Sequence, residues 1–191
     1  HFSFDQGLSG RIVPCLLQDS QGFMWLGTWG GLDRFDGYTF TTFKHDHRDS
    51  TSLGNPFVLA LGEDSLKNIW VGTYGGLHRL DRRAGTFTRY RNDARDPSSL
   101  AGDTVTALFV DRGGLLWVGT NRGLDRYDRA TDSFSHFTHT EQDSTSHIEN
   151  AINAICETRD GRLWIGSGTE TTGGLDVLDR LTGRIVHFSH D

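Results

Sequence analysis

The sequence predicts an all-β fold, a β-propeller arc of four four-stranded antiparallel blades. A motif of Trp, an apolar residue, Gly and Thr or Ser occurs four times, and a period in the forties is typical of propeller blades. Its tryptophans are spaced 45, 47 and 47 residues apart: Trp25, Trp70, Trp117 and Trp164. The 24 glycines and 3 prolines suit short strands joined by tight turns. Helical periodicity is weak throughout, so we expect essentially no helix.

Each repeat contains four segments with the patterns of strands. In the second repeat, the apolar run 58–61 predicts a buried first strand, and the segments 69–73, 77–80 and 86–90 predict the next three. The first segment is the most apolar and the last the most polar, as expected for a blade whose first strand lines the propeller axis. We therefore predict a single propeller segment over residues 1–191, with blades at about 11–43, 56–90, 103–137 and 150–188.

The start of the chain predicts an additional strand. Residues 1–5 resemble residues 187–191, which end the fourth outer strand, so 1–4 are expected to form a surplus outer strand. Because the last repeat keeps its own outer strand, we expect an incomplete arc from a larger ring of about seven blades. A four-bladed ring and the assembly of two copies into an eight-bladed ring are the alternatives. Open blade faces also predict self-association, since repeat arrays normally cap such faces.

The composition argues against several classes of function. A net charge of −6, from 25 acidic and 19 basic residues, argues against nucleic-acid binding. No apolar run approaches the roughly 18 to 20 residues that span a bilayer, so we expect no membrane span in this chain. Two cysteines, Cys15 and Cys156, do not make a disulfide framework.

The residues that recur in every repeat are expected to be structural. The identical placement of the four tryptophans inside strands favours packing between blades over carbohydrate stacking. The acidic residue of each Asp-x-x-Gly turn is interpreted as a turn cap rather than as a catalytic group or calcium ligand.

Positions at which the repeats differ are better candidates for binding. Directly after each Gly-Thr or Gly-Ser pair lie Trp29, Tyr74, Asn121, Arg122 and, in the fourth repeat, an insertion with Glu170. These residues belong to the loops between second and third strands, on the propeller face that also carries the connections between blades. We predict that they bind a polar, polyhydroxylated ligand. The alternative is that they only cover glycine-rich turns.

Catalytic residues, metal ligands and cofactors are not expected. The segment 45–47 (His-Asp-His) and the pair His136 and His139 are the candidates for a metal site. The same pair recurs at the matching place in the fourth repeat, and side chains at an odd spacing along a strand point to opposite faces, which is poor ligand geometry. No nucleophile next to a base and no close pair of carboxylates stands out from the repeated background.

The repeat pattern resembles the two-component regulator propeller repeat. The pattern is Asp-x-x-Gly-x-x-Trp, an apolar residue and Gly-Thr, followed by Gly-Leu-x-Arg, an apolar residue and Asp, and residues 19–28 match it best. His78, Ser167 and Val177 depart from it, and the fourth turn carries its acidic residue two positions later, at Asp160. The resemblance implies the periplasmic sensor region of a hybrid two-component histidine kinase, many of which recognise oligosaccharides.

The leading hypothesis is therefore a non-catalytic, extracytoplasmic sensor segment that binds an oligosaccharide or a similar polar ligand. One alternative is a fragment of an enzyme, because streptogramin-type lyases use a similar ring. Such a lyase would need a His and an acidic group at one mouth with a bound divalent ion. The other alternative is a protein–protein interaction scaffold.

Overall fold

Sixteen β-strands form the four blades. The computed structural model describes residues 7–137, 151–168, 173–180 and 182–188. Within these ranges there is no helix, and the strands form four antiparallel sheets of four strands, each in sequence order, which confirms the predicted all-β propeller blades. The strands are β1 (Cys15–Gln18), β2 (Met24–Thr28), β3 (Gly31–Phe35), β4 (Phe40–Phe43), β5 (Val58–Glu63), β6 (Ile69–Thr73), β7 (Gly76–Asp81), β8 (Thr86–Tyr90), β9 (Val105–Val110), β10 (Leu116–Thr120), β11 (Gly123–Asp128), β12 (Ser133–Phe137), β13 (Ile152–Glu157), β14 (Leu163–Gly168), β15 (Gly173–Leu178) and β16 (Ile185–Phe188).

The chain divides into two compact units, residues 1–91 and 92–191. The first unit contains the blades β1–β4 and β5–β8, and the second contains β9–β12 and β13–β16. The proposed surplus strand at 1–4 lies outside the described residues. A single segment over 1–191 and the number of blades in the ring stay predictions.

Aromatic rings form the contact between the two blades of the first unit. Trp25 is 1% exposed and stacks on Phe43 with ring centroids 5.9 Å apart. Phe43 in turn meets Phe87 of the second blade edge to face, also at 5.9 Å. Ile69 and Val71 complete this core. The tryptophan of the repeat is therefore a packing residue here, as expected.

The second unit has a core of its own, with Trp117 in the position of Trp25. Trp117 is 1% exposed, lies 5.3 Å from the ring of Phe137, and shares its cluster with Ile152 and Ile165 of the fourth blade. Trp164 of the fourth blade is only partly buried. The repeated tryptophan is therefore fully buried in three blades, at Trp25, Trp70 and Trp117, and partly buried in the fourth.

The glycine of the repeated motif is required by close approach of the next blade. A Cβ added at Gly27 would lie 2.5 Å from Cγ1 of Val58, the first residue of β5. In the second unit a Cβ at Gly119 would lie 2.6 Å from Cγ2 of Ile152, the first residue of β13. The second blade of each unit can therefore pack against β2 or β10 only because this position has no side chain.

A lysine occupies a turn position at which the other three blades have glycine. Lys67 has φ 68°, in the left-handed region, whereas Gly22, Gly114 and Gly161 have φ of 92°, 80° and 85° in the matching turns. We expect Lys67→Gly to raise the free energy of unfolding by about 0.5–1 kcal/mol, because the left-handed strain of roughly 1–2 kcal/mol outweighs the added entropy of the unfolded chain.

Urea unfolding of the wild type and Lys67→Gly measures this difference. Lys67→Ala is the matched control, since alanine removes the side chain but keeps the strain. An equal gain from alanine would show that the backbone conformation is not the cause.

Candidate functional site

The loops between second and third strands are held in the same way in all four blades. We call this end of a blade, where the first strand begins and the second turns into the third, its upper end. There the residue after Gly-Thr or Gly-Ser donates its backbone N–H to a carbonyl one to three residues before the first strand. The pairs are Trp29 to Ile12 (3.2 Å), Tyr74 to Phe57 (3.3 Å), Asn121 to Thr104 (2.9 Å) and Gly168 to Ala151 (2.8 Å).

In the first three blades, the threonine of the motif holds the loop with two hydrogen bonds. Thr28 Oγ1 donates to the carbonyl of Gly31 at 3.0 Å and accepts from the N–H of Gly30 at 3.0 Å. Thr73 repeats both contacts in the second blade, at 2.9 and 3.0 Å. Because the loop backbone is internally satisfied, the side chain that follows the threonine is free to present its face to solvent.

At the upper ends of the two blades of the first unit, one aromatic side chain contacts two others. Phe57 lies between the two predicted residues, 6.0 Å from Trp29 and 5.9 Å from Tyr74, with interplanar angles of 81° and 76°. We call Trp29, Phe57 and Tyr74 the aromatic trio. Their exposed fractions are 45%, 40% and 50%, so the trio is a surface cluster and not part of the core.

Phe57 is the member of the trio that sequence reasoning missed. It directly precedes the first strand of its blade, where the other blades have Ile12, Thr104 and Ala151. An aromatic residue at a position that varies between repeats is the signal that could have identified it. Asn55 fixes its backbone by accepting the N–H of Phe57 at 2.9 Å.

The other predicted binding residues belong to the second unit. Asn121 uses its side-chain oxygen to accept the N–H of Thr104 at 3.3 Å, so it helps to hold its own loop. Arg122 is exposed, and its N–H is donated to Thr120 Oγ1 at 3.1 Å. Glu170 lies outside the described residues. The structure therefore brings Trp29 and Tyr74 into one cluster and places Asn121 and Arg122 side by side in the other unit.

The repeated acidic residue caps the turn at the opposite, lower end of the blade. Asp19 accepts the N–H groups of Gln21 and Phe23, both at 2.9 Å, and the indole N–H of Trp25 at 2.8 Å. Burial raises the pKa of Asp19, but these hydrogen bonds and the charge of Arg82 outweigh it, so that the pKa lies below its ordinary value. The carboxylate therefore serves to hold its turn and the indole of Trp25 in place.

An arginine from the second blade completes the first of these turns. Arg82 donates to Asp19 at 2.9 Å, to Glu63 at 2.8 Å and to Gln21 at 2.8 Å. Glu63 also accepts the N–H and hydroxyl of Ser20, at 2.7 and 2.8 Å. The result is a charged clamp between the two blades of the unit.

The second unit contains the same clamp. Arg180 donates to Asp111 and to Glu157, and Glu157 accepts the N–H of Arg112 at 2.8 Å. Asp111 also accepts the indole N–H of Trp117 at 2.9 Å. The glutamate and the arginine of each clamp come from the second blade of the unit, and this shared pattern was not recognised from the sequence.

His136, a candidate for metal binding, forms a cross-strand pair with a buried aspartate, and its candidate partner His139 lies outside the described residues. His136 Nδ1 lies 2.7 Å from Asp125, its register partner on β11, and His136 Nε2 lies 2.8 Å from the carbonyl of Pro97. His187 pairs with Asp176 in the same way at 2.7 Å. Burial lowers the pKa of His136. The hydrogen bond and charge of Asp125, together with the Pro97 carbonyl, raise it by more, so the pKa lies above its ordinary value.

The second blade replaces this pair with a histidine and an arginine. His78 stands at the aspartate position, fully buried, opposite Arg89 at the histidine position. Its Nδ1 lies 3.3 Å from the carbonyl of Val71, and its Nε2 has no hydrogen-bond partner among the residues that the structure describes. Burial lowers the pKa of His78 to about 4, assisted by the charge of Arg89, so the ring is neutral at pH 7.

Each unit also has a pocket near its lower end. The first unit has one of 570 Å³ lined by cationic groups that include Lys67, Arg79 and Arg82. In the second unit a pocket of 530 Å³ has Trp117 and Arg180 in its lining. Arg82 and Arg180 are committed to the two clamps, so neither pocket presents them freely to a ligand.

Groups that could support chemistry are few in the described part of the chain. No set of three or more His, Cys, Asp or Glu side chains there is arranged to hold a metal ion. Burial raises the pKa of the Cys15 thiol to about 12, which makes it an unreactive core group. The described residues also contain no helix that is long and apolar enough to cross a membrane.

The described residues form four-stranded meander sheets, and the recurring Asp, Trp, Gly and Thr residues of these sheets serve packing or the hydrogen bonding of turns. These features define a β-propeller repeat protein. The model of the family described as two component regulator propeller matches residues 7–30, 52–75, 99–122 and 146–169, which together make up half of the chain. The chain belongs to the two component regulator propeller family.

Similar proteins include a histidine kinase and the extracellular domain of a hybrid two component system. The chain is 45% identical over 47 residues to histidine kinase P4 of Formosa agariphila, which covers 25% of this chain and 3% of the kinase. It is 30% identical, with a TM-score of 0.86, to the extracellular domain assigned to the hybrid two component system BT3049 of B. thetaiotaomicron, over 100% of this chain and 26% of that one.

Two further solved structures are similar in fold alone. The extracellular domain assigned to the one component system BT4673 of B. thetaiotaomicron is 20% identical with a TM-score of 0.73, over 96% of this chain and 25% of that one. Virginiamycin B lyase of Staphylococcus aureus is 16% identical with a TM-score of 0.67, over 96% of this chain and 57% of the lyase. The chain thus spans about a quarter of the length of the regulator domains.

Proposed function

We propose that this chain is a non-catalytic, extracytoplasmic ligand-recognition segment of a two-component regulator, and that the aromatic trio binds an oligosaccharide. The observation that carries the proposal is the contact of three half-exposed rings at the upper ends of the two blades of the first unit. Membership of the regulator family supports the sensor role. The similar extracellular domain of BT3049 supports a location outside the cytoplasm.

The chemistry of the trio suits a sugar. A pyranose ring has faces of C–H groups and an edge of hydroxyls, so it packs on an aromatic face while its hydroxyls stay in water or meet polar groups. Trp29 and Tyr74 both stand nearly perpendicular to Phe57, which gives two exposed rings separated by a third. Such an arrangement offers a surface long enough for more than one sugar ring.

The trio is also held in place before any ligand arrives. The backbone N–H groups of Trp29 and Tyr74 are bonded to the carbonyls of Ile12 and Phe57, and the N–H of Phe57 is bonded to the side chain of Asn55. Little conformational entropy is then lost on binding, so more of the contact energy is expressed as affinity.

A glycan panel in a thermal-shift assay tests the proposal, because a ligand of the folded state must raise the melting temperature. We expect at least one oligosaccharide to do so, and Trp29→Ala, Phe57→Ala and Tyr74→Ala each to weaken its binding by about tenfold or more. Phe57→Ala tests the structure in particular, because Phe57 was identified as a binding residue only from its contacts with Trp29 and Tyr74.

Tyr38→Ala is the matched control for the loss of an exposed aromatic ring. Tyr38 is 93% exposed and lies in the β3–β4 turn at the lower end of the first blade, so its removal should leave the shift unchanged. Equal binding by the wild type and all three trio variants would refute the site. No shift with any glycan, together with a tight protein partner, would favour the interaction scaffold instead.

Self-association through open blade faces stays a prediction. Apolar side chains exposed on the first and fourth sheets support it: Leu16 on β1 is 61% exposed and Phe188 on β16 is 51% exposed. The fold similarity to the lyase carries no argument for an enzyme, because it is a similarity of architecture at 16% identity.

A further inference from the structure

Two imidazole rings face each other in the connection between the blades of the first unit. His45 Nε2 lies 3.1 Å from His47 Nδ1, and the rings are nearly perpendicular, with an interplanar angle of 82° and centroids 4.4 Å apart. Both histidines belong to the connection between β4 and β5. The same connection contains Phe57, the middle ring of the aromatic trio, and Asn55, which accepts the N–H of Phe57.

The matching connection between β8 and β9 shows which of the two ring nitrogens of His45 the fold requires. His45 Nδ1 donates to the carbonyl of Leu53 at 2.8 Å. At the matching place, Asn92 donates its side-chain amide to the carbonyl of Leu100 at 2.6 Å. An asparagine therefore does the structural work of His45, and the second nitrogen of His45 is not needed for it.

The same comparison shows that the fold does not require His47. The backbone N–H of Asp46 donates to Ser52 Oγ at 2.9 Å, and that of Asp93 donates to Ser99 Oγ at 2.9 Å. The two connections thus have matching backbone turns, and Ala94 occupies the place of His47. The first connection therefore has an imidazole at a position where alanine is compatible with the same backbone turn.

The tautomer of His45 is the one that a metal ligand needs. Because a carbonyl oxygen only accepts, Nδ1 of His45 carries the hydrogen and Nε2 carries the lone pair. A ring whose other nitrogen donates to a backbone carbonyl is the usual arrangement of a metal-bound histidine. The 3.1 Å separation of the two nitrogens allows one ion to lie about 2.0–2.1 Å from both, at an N–metal–N angle of roughly 100°.

We propose that His45 Nε2 and His47 Nδ1 bind one divalent transition-metal ion of the class that prefers imidazole, Cu²⁺, Ni²⁺ or Zn²⁺. The described residues supply these two nitrogens, and the remaining positions are open to water or to oxygen atoms of a ligand. The order of stability for such ions makes Cu²⁺ the tightest. The proposal replaces the sequence-based expectation that 45–47 holds no metal.

Calorimetric titration of the EDTA-treated full chain with Cu²⁺ and Zn²⁺ at pH 7.5 tests this site. We expect Cu²⁺ to bind more tightly than Zn²⁺, and both to bind more weakly at pH 5.5, because imidazoles must lose their protons to ligate metal. His47→Ala and His45→Asn should each weaken binding by roughly tenfold or more, because each leaves a single imidazole nitrogen.

Both variants should fold, because alanine and asparagine already occupy the matching positions of the second connection. Imidazole ¹⁵N NMR gives an independent measurement: saturating Zn²⁺ should shift His45 Nε2 and His47 Nδ1. Equal affinity of the wild type and His47→Ala would overturn the proposal and leave the 3.1 Å contact as an N–H···N hydrogen bond. Unchanged resonances of both nitrogens would overturn it as well.

Discussion

Asp19→Ala is expected to lower the free energy of unfolding by about 3–5 kcal/mol. Its side chain is fully buried and accepts the indole N–H of Trp25, two backbone N–H groups and the guanidinium of Arg82. The substitution leaves these donors without their acceptor and leaves Arg82 with one carboxylate fewer, because Glu63 alone remains. Urea unfolding of both proteins measures the difference.

The fourth blade contains the matched control. Its acidic turn residue, Asp160, is displaced by two positions and has a side chain 58% exposed. Among the described residues, its hydrogen bonds and ion pair are with Thr158 and Arg162 of its own turn. Asp160→Ala should change stability by no more than about 0.5 kcal/mol. Similar losses for Asp19→Ala and Asp160→Ala would show that the contacts with Trp25 and Arg82 do not stabilise the unit.

The protein is also expected to lose about 3 kcal/mol of stability through His78 as the pH falls from 6.5 to 4. Burial lowers the pKa of His78 to about 4 in the folded state, from an ordinary value of 6.5. The unfolded chain therefore takes up the proton first, so this contribution is fully present above pH 6.5 and is lost through the window down to pH 4.

Urea unfolding at intervals between pH 4 and 8 measures this loss, with His78→Gln as the variant that cannot titrate. Asp125 and His136 have raised pKa values, so their contribution has the opposite sign: it is present at lower pH and is lost as the pH rises. Asp19 has a lowered pKa, and its contribution is lost only below about 3.8. The difference between the wild type and His78→Gln isolates His78, and equal slopes between pH 6.5 and 4 would contradict the prediction.

The architecture was predictable from the sequence because its determinants are local and repeated. Within one turn, Asp19 contacts residues two, four and six positions along the chain, so a short motif contains the whole interaction. The period of the tryptophans and the alternation of apolar residues then predict four strands in each blade. Most predicted strand boundaries agree with the observed ones within one or two residues.

The site was only partly predictable, because its parts meet across blades. Trp29 and Tyr74 were identified as variable loop residues, and the position of Phe57 varies between repeats as well, but its contact with Trp29 joins two blades and is not encoded within one repeat. The clamp between Arg82 and Asp19 connects residues 63 positions apart, and the pairing of Asp125 with His136 depends on strand register. Such contacts arise only when the strands are aligned.

By itself, the sequence determined the class of fold, the repeat family and the structural roles of the recurring Asp and Trp residues. The tertiary structure alone decided that three aromatic rings form one surface cluster, that each unit has a charged clamp, and that His45 and His47 face each other. The physical reason is the range of the interactions. Turn capping and strand alternation are encoded within a few residues, whereas a binding surface depends on which side chains neighbouring blades bring together.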